Sequence, residues 1–517
     1  MFFSREISRI DPFRWFHFPG FIALAAVYCV WTWSHELGEF GGDNAIYLLT
    51  ARHFSPWSDH SDVAAYFAGT SQYPPLFPFF LAIFSGGENV LIAHLVTTAF
   101  LLLAVVVFYR WLLDLGFSVL HASLAALLLL LLPGVYMEAL SIHSENLYLL
   151  ASLTGLMAVT QAERSDRDMW YAMGALSIAA ATLTRGIGIS LVAAFFVYLI
   201  LRRPVRAWLY ALVSVFPMML WNLLHNKQGP GYFDSFVEKY SGISFNDLSA
   251  HIGVELHALW YGWVGNFSVS PIALPVMGII GAICLAGMVY RLWQRKLDGF
   301  YAAAYLLLIL IWPFPAEAQR FMFVIIPVLI AQGLLFVGTL PRVKPGLRYL
   351  NGRVMMLLCI FLVTLPALVL TASRFMHRPP DELVDLRHSP GWYALDPRDA
   401  MNNIVFDNVL ASHLRQIKGM VPEGSCIYSI KPSIVGFYAD RISMIPPRQH
   451  FDQAAFDAYL KKNKCRYFYL MGFVSPSFLE AYYPLTRLRS SLEVISVVRA
   501  ANPPAEPVGM LAELVKR

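Results

Sequence analysis

Four charged positions in this chain have the type and setting that acid–base and anion chemistry need. Asp43 follows the glycine pair Gly41-Gly42. A carboxylate there can take a proton as a general base, or it can cap the helix that follows, a place aspartate often fills. Glu145, in His143-Ser144-Glu145-Asn146, opens an apolar run, where a helix dipole favours an acid whether or not a ligand is near. Arg320, in Glu317-Ala318-Gln319-Arg320-Phe321, can snorkel to an interface or pair with Glu317. A guanidinium on that side can also grip an anion such as phosphate through its planar fork. Arg185, in Thr184-Arg185-Gly186, admits the same two readings. Asp43 and Glu145 together offer oxygen ligands for a divalent cation, although no cofactor is required. His53, His60 and His143 have no zinc spacing on one helix, so hydrogen-bonded or solvated imidazoles are expected and no metal is assigned.

The elements that position these groups belong to an apolar chain. Of its 517 residues 57% are hydrophobic and 14% charged, and the mean hydropathy is +0.54, which is the composition of a membrane protein. The net charge of +5 is explained by orientation signals, so nucleic acid is not expected as a partner. Apolar runs of helix-spanning length recur at 18–37, 90–112, 119–138, 146–160, 169–184, 188–201, 207–224, 271–290, 299–315, 320–340 and 354–373, about 11 in all. The first is about the length of a full span and is expected to stay as an anchor. With the N-terminus in the cytoplasm, sixteen Lys and Arg fall in inner loops. The outer loops between the runs hold only Arg52, Arg185, Lys227, Lys239 and Arg320. An odd number of spans then puts everything after Phe375 outside. The span centres are almost free of ionisable side chains, which argues against an ion-coupled transporter.

Two outer loops, 38–89 and 225–270, are too long to be plain connectors. Within the first, Asn44 to Phe54 reads as a short amphipathic helix lying in the headgroup layer. Tyr73-Pro74-Pro75-Leu76-Phe77-Pro78 then turns the chain back toward the bilayer, because proline removes donors and restrains its predecessor. From about Arg378 the period changes. Cys426–Ile430, Ile442–Ile445, Tyr467–Met471 and Leu492–Val498 read as strands alternating with helices at Phe451–Lys462 and Phe478–Leu488, so a small soluble α/β domain is expected over 378–517. Cys426 and Cys465 can pair there or remain thiols.

The outer acids and the proline turn, taken in order, resemble the GT-C glycosyltransferases, and within them the protein O-mannosyltransferase and lipid A aminoarabinose transferase group. The resemblance covers roughly Phe18 to Leu340. It rests on Asp43 just after the first run, Tyr73-Pro74-Pro75-Leu76-x-Pro78, Glu145, Leu183-Thr184-Arg185-Gly186, and Gln319-Arg320-Phe321 followed by Pro327. It implies a polytopic α-helical membrane domain over 1–377 that transfers one sugar from a polyprenyl phosphate at the outer face, with inversion. Asp43 and Glu145 would be its catalytic residues, Asp43 as general base. Tyr73, His143, Arg185, Glu317 and Arg320 would bind substrate, Tyr73 by stacking on a sugar face and the arginines by holding phosphate. Membrane lipid and a lipid-linked donor are the implied partners, with the acceptor open among lipid, glycan and protein. The implied place is a bacterial inner membrane with a periplasmic tail. Asn44 stands where this family commonly carries a second acid, which departs from a two-carboxylate pattern at that spot. The Trp-Trp-Asp motif of oligosaccharyltransferases is absent, which favours a monosaccharide donor. A flippase for lipid-linked saccharides, or a non-catalytic member of the fold, would use similar surfaces.

Overall fold

The computed structural model describes residues 13–58, 61–165, 167–202, 204–225, 236–237, 240–241, 243–268, 270, 273–312, 314–340, 352–376, 388–393, 397–447, 452–463, 465–471, 491–499 and 507–515. The apolar runs fold as helix. In chain order these are α1 (Phe13–Trp31), α2 (Asp43–Phe54), α3 (Asp62–Thr70), α4 (Leu76–Ser85), α5 (Val90–Asp114), α6 (Val119–Leu131) and α7 (Pro133–Glu138). They continue through α8 (Glu145–Ser165), α9 (Asp168–Thr184), α10 (Ile189–Arg202), α11 (Pro204–Leu224) and α12 (Phe245–Gly265). The last of the helical part are α13 (Ala273–Trp293), α14 (Leu297–Leu310), α15 (Ala318–Val337) and α16 (Gly352–Met376). Among the described residues five helices are long and apolar enough to cross a membrane, and five more apolar helices run 10–17 residues. The chain is thus built as an integral membrane protein.

The expected run 119–138 breaks into α6 and α7, because Pro133 has no N–H to continue the ladder and pushes Leu132 into extended backbone. The second long loop is not a loop throughout. Its residues 245–265 form α12, capped by the Ser244 side chain, which accepts from the Asp247 N–H, and α12 packs against α15. Residues 226–235, with Lys227, and also Lys239 and His60, lie outside the described residues.

The tail adds α17 (Pro397–Met420), α18 (Pro432–Ala439) and α19 (Gln453–Asn463) around strands β1 (Cys426–Tyr428), β2 (Ile442–Met444), β3 (Tyr467–Met471), β4 (Leu492–Arg499) and β5 (Pro507–Leu514). The sheet order is β2-β1-β3-β5-β4, parallel between β1 and its neighbours β2 and β3, and antiparallel from β3 through β5 to β4. Cys426 and Cys465 are joined by a disulfide beside the β1–β3 pairing. The expected helix Phe478–Leu488 and the boundary at 377/378 lie outside the described residues.

The tail and the first long loop share one apolar core. Leu410, Leu414, Ile417, Ile427, Ile434 and Val435 of the tail pack with Leu37, Tyr47, Leu48, Phe77 and Leu81. This explains a departure from expectation at α2. Rather than lying with one face open to headgroups, α2 is covered by α3 and α4 and by α18 of the tail, and Asn44, Ala45, Tyr47, Leu48, Leu49, Thr50 and Ala51 are all buried. Burial of a leucine such as Leu48 contributes about 1.5–3 kcal/mol. The helix is therefore a rigid support for Asp43 at its first residue.

Candidate active site

The helices carry their acids where helix dipoles favour negative charge. Asp43 is the first residue of α2, Glu145 the first of α8, and Glu317 immediately precedes α15. These three N-terminal ends meet around Arg320, in the first turn of α15. Its Nη1 donates to Asp43 Oδ2 at 2.6 Å and its Nε to Glu145 Oε1, while Glu317 Oε2 stands 3.6 Å from Nη1. Arg320 Nη2 is buried and has no hydrogen-bond partner among the described residues. Arg185, at the end of α9, reaches the same Glu145 oxygen at 2.5 Å and donates to Ser144 Oγ at 3.2 Å. Three acids and two guanidiniums thus form one cluster. Glu145 is fully buried and keeps its charge because both arginines lie against it.

Tyr73 donates its hydroxyl to Asp43 Oδ1 at 2.6 Å, and its ring packs on Tyr47 at 4.9 Å between centroids. This hydroxyl bond aims the acid. Burial alone would raise the Asp43 carboxyl, but Arg320 and the Tyr73 hydroxyl outweigh it and hold the group below the ordinary carboxylate range. Asn44 does not face the cavity. Its side-chain amide donates to the carbonyls of Leu37 at 3.1 Å and Glu39 at 2.9 Å, pinning the loop 37–42 to α2.

His143 lies between two carboxylates, with Nδ1 at 2.8 Å from Glu138 Oε1 and Nε2 at 2.7 Å from Glu39 Oε1. Burial and the nearby Arg320 push the imidazole pKa down, yet the two acids override them and raise it well above its usual value. His143 is therefore an imidazolium, and neither solvated nor a base. Glu39 is held below its usual range: burial opposes this, and the His143 charge prevails.

A cavity of about 300 Å³ opens over this arrangement, lined by Glu39, Asp43, Glu138, His143, Glu317, Arg320 and, from the tail, Lys431. A smaller one, of about 20 Å³, lies against Tyr47, Tyr73, Thr184, Arg185 and Phe321. Asp43 lines the larger and Tyr73 the smaller, so their bond forms part of the partition between the two.

The expected pairing of Asp43 and Glu145 on a cation is not seen, because Arg320 lies between them. Glu138, His143 and Glu145 do bring one ligand atom each within 4.8 Å of one another, a spacing a divalent cation could use. Both His143 nitrogens are already committed to carboxylates, so this set does not fit an ion without giving up those bonds. Of the expected residues, Asp43, Tyr73, His143, Glu145, Arg185, Glu317 and Arg320 come together, while His53 sits at the far end of α2 beside Phe54. Sequence reasoning missed Glu39 and Lys431, and also Asn266, which lines the larger cavity beside them. Glu39 was findable as an acid two residues before Gly41, in the same outer loop as Asp43. Asn266 and Lys431 carry no local signal.

No protein-family model matches this chain, and no curated protein does. Solved structures do. ArnT from Cupriavidus metallidurans, in a crystal structure bound to undecaprenyl phosphate, superposes with a TM-score of 0.55 over 97% of this chain and 98% of that one, at 15% identity. The archaeal oligosaccharyltransferase AglB from Archaeoglobus fulgidus, in complex with an inhibitory peptide and a dolichol-phosphate, matches with a TM-score of 0.51 over 88% of this chain and 69% of that one, at 13% identity. Both are glycosyltransferases of the GT-C fold, and this chain has that fold.

Proposed function

We propose, from the GT-C fold as premise, that this chain is a membrane glycosyltransferase that moves a single sugar from a polyprenyl phosphate to an acceptor hydroxyl, with inversion. The observation that carries the reading is Arg320, which ties Asp43 to Glu145 on the wall of the cavity and keeps Nη2 unpartnered. The lipid-phosphate ligands of the two neighbours support the donor class.

In this mechanism Asp43 is the general base. An acceptor hydroxyl in the cavity donates to the carboxylate, which takes the proton as the acceptor oxygen bonds to the anomeric carbon from the face opposite the phosphate. The bond from the anomeric carbon to the phosphate oxygen breaks, and its electron pair leaves with the phosphate. The lipid phosphate gains one negative charge, Asp43 gains the proton, and the proton then passes to water. Arg320, assisted by Arg185, stabilises the leaving phosphate where its charge develops. As long as Arg320 is given to Asp43, the acid is a weak base. Once Arg320 turns to the phosphate, Asp43 loses its counter-ion and binds a proton more readily. Glu145 anchors both arginines, and Tyr73 keeps Asp43 on line.

The same reading places the N-terminus in the cytoplasm of a bacterial inner membrane, about 11 crossings over 1–377, and the tail in the periplasm. The experiment is release of free polyprenyl phosphate from a panel of polyprenyl-phosphate sugars by the purified protein, with Asp43→Asn beside it. Turnover of one donor that falls about 10²–10⁴-fold in the variant, at an unchanged melting temperature, is expected. Tight donor binding without turnover in the presence of candidate acceptors, or wild-type rates from Asp43→Asn, would overturn it.

A further inference from the structure

The charged side chains around the larger cavity fall into two groups. Glu39 and Glu138 flank the His143 imidazolium, and Asp43 and Glu145 share Arg320 and Arg185. Lys431 belongs to neither. It reaches the cavity from the tail, at the residue just before α18, and its ammonium donates to the backbone carbonyl of Gly41 at 2.8 Å. That acceptor is neutral, and among the described residues no carboxylate pairs with Lys431. The charge is therefore available to a ligand, and the N-terminus of α18 adds positive character beside it. Docking does not depend on this charge alone. Ser433 Oγ donates to Gly42 O at 2.8 Å, and the apolar core beneath holds the tail on α2 and α4. An ammonium on a four-carbon stem, resting on one carbonyl, can exchange that bond for a stronger one to an anion without moving the helix that carries it.

We propose that Lys431 is a substrate-binding residue, lent to the membrane-embedded site by the tail, which joins Arg320 in gripping a phosphoryl oxygen. The proposal rests on the lipid-phosphate reading above. It gives the tail a direct part in the chemistry, since the cavity lacks this cation until α18 is seated on Gly41-Gly42.

The test uses the full-length protein in detergent, titrated with undecaprenyl phosphate and, separately, with inorganic phosphate, for wild type and for Lys431→Ala, Lys431→Arg, Ser433→Ala and Arg320→Ala. Lys431→Ala is expected to weaken undecaprenyl phosphate binding about tenfold, with an unchanged melting temperature and a shallower dependence on salt. Lys431→Arg is expected to keep most of the affinity. Ser433→Ala, which removes only a docking contact, stays within about twofold of wild type. Loss for both probes assigns Lys431 to any phosphoryl group in the cavity, and loss confined to the lipid probe assigns it to the donor. Wild-type affinity in Lys431→Ala together with a lowered melting temperature would overturn the proposal, because Lys431 would then be only a clip on Gly41. Weakening in Arg320→Ala with none in Lys431→Ala would also overturn it while leaving the transfer reading intact. A wild-type protein that binds neither probe would instead remove the lipid-phosphate reading itself.

Discussion

Arg320 makes two acids dependent on one side chain, and this dependence is measurable. Removing it leaves Glu145, fully buried, with Arg185 as its remaining cation. Arg320→Leu should cost about 3–5 kcal/mol of stability, and a Glu145→Leu/Arg320→Leu double variant should recover much of that, a comparison made by thermal melts of the three proteins. Arg320→Lys should fold but lose most activity, since one ammonium cannot serve two carboxylates in the planar geometry the fork allows. The pH dependence has two opposite limbs. Asp43 and Glu39 are held below the carboxylate range, so their contribution is present above about pH 4 and is lost as pH falls through their lowered values. His143 is raised, so its contribution is complete below about pH 6.5 and is lost only as pH rises through the raised value. The difference in melting temperature between wild type and His143→Gln should therefore be flat from about pH 5 to 6.5 and shrink only on the alkaline side. Asp43, Glu145 and Arg320 were legible because an acid at a helix start and an arginine on the outer side are each unusual. The Glu39–His143–Glu138 array was not, because its partners are 104 residues apart across one bond and 5 across the other.

The close seating of α2 against the tail sets what its neighbours can be. Gly42 has φ 103°, a left-handed backbone in which any side chain is strained, and a Cβ there would meet Ser433 Oγ at 3.0 Å. Gly42→Ala should cost about 1–3 kcal/mol and lower the transfer rate as well, since it displaces the residue before Asp43. Gly436 in α18 lies against Phe67 of α3, so that a Cβ would overlap the ring. Gly436→Ala should destabilise by about 1–3 kcal/mol, and Gly436→Ala combined with Phe67→Leu should be milder, as read by denaturant melts. The period of Asn44–Phe54 showed a helix in the sequence, but its surroundings were hidden, because the helix that covers it lies nearly 400 residues later. The strand β5 was missed for a related reason. Pro507-Val508-Gly509-Met510 does not alternate, yet β5 sits between β3 and β4 and is held by neighbours on both edges.

For the whole molecule, the interlocked core means that the tail and the first loop should melt together rather than as separate units. Part of the contact is adverse. Asp407 of α17 is half-buried, and burial, with the Glu39 charge near it, pushes its carboxyl up to about 7. The folded state thus loses stability as pH rises from about 4 toward 7, because the unfolded chain ionises first. Asp407→Asn should raise the melting temperature at pH 7.5 and leave it unchanged near pH 4. Orientation has its own test: a reporter that works only in the cytoplasm, fused after Arg517, should be silent. The disulfide between Cys426 and Cys465 then acquires a meaning in time as well as in space. On the proposed orientation, the bridge closes only after the tail has been exported into an oxidising compartment, and the tail is what seats Lys431 beside Asp43. Until then a newly made chain would grip its donor more weakly, so that export of the tail would complete the binding site.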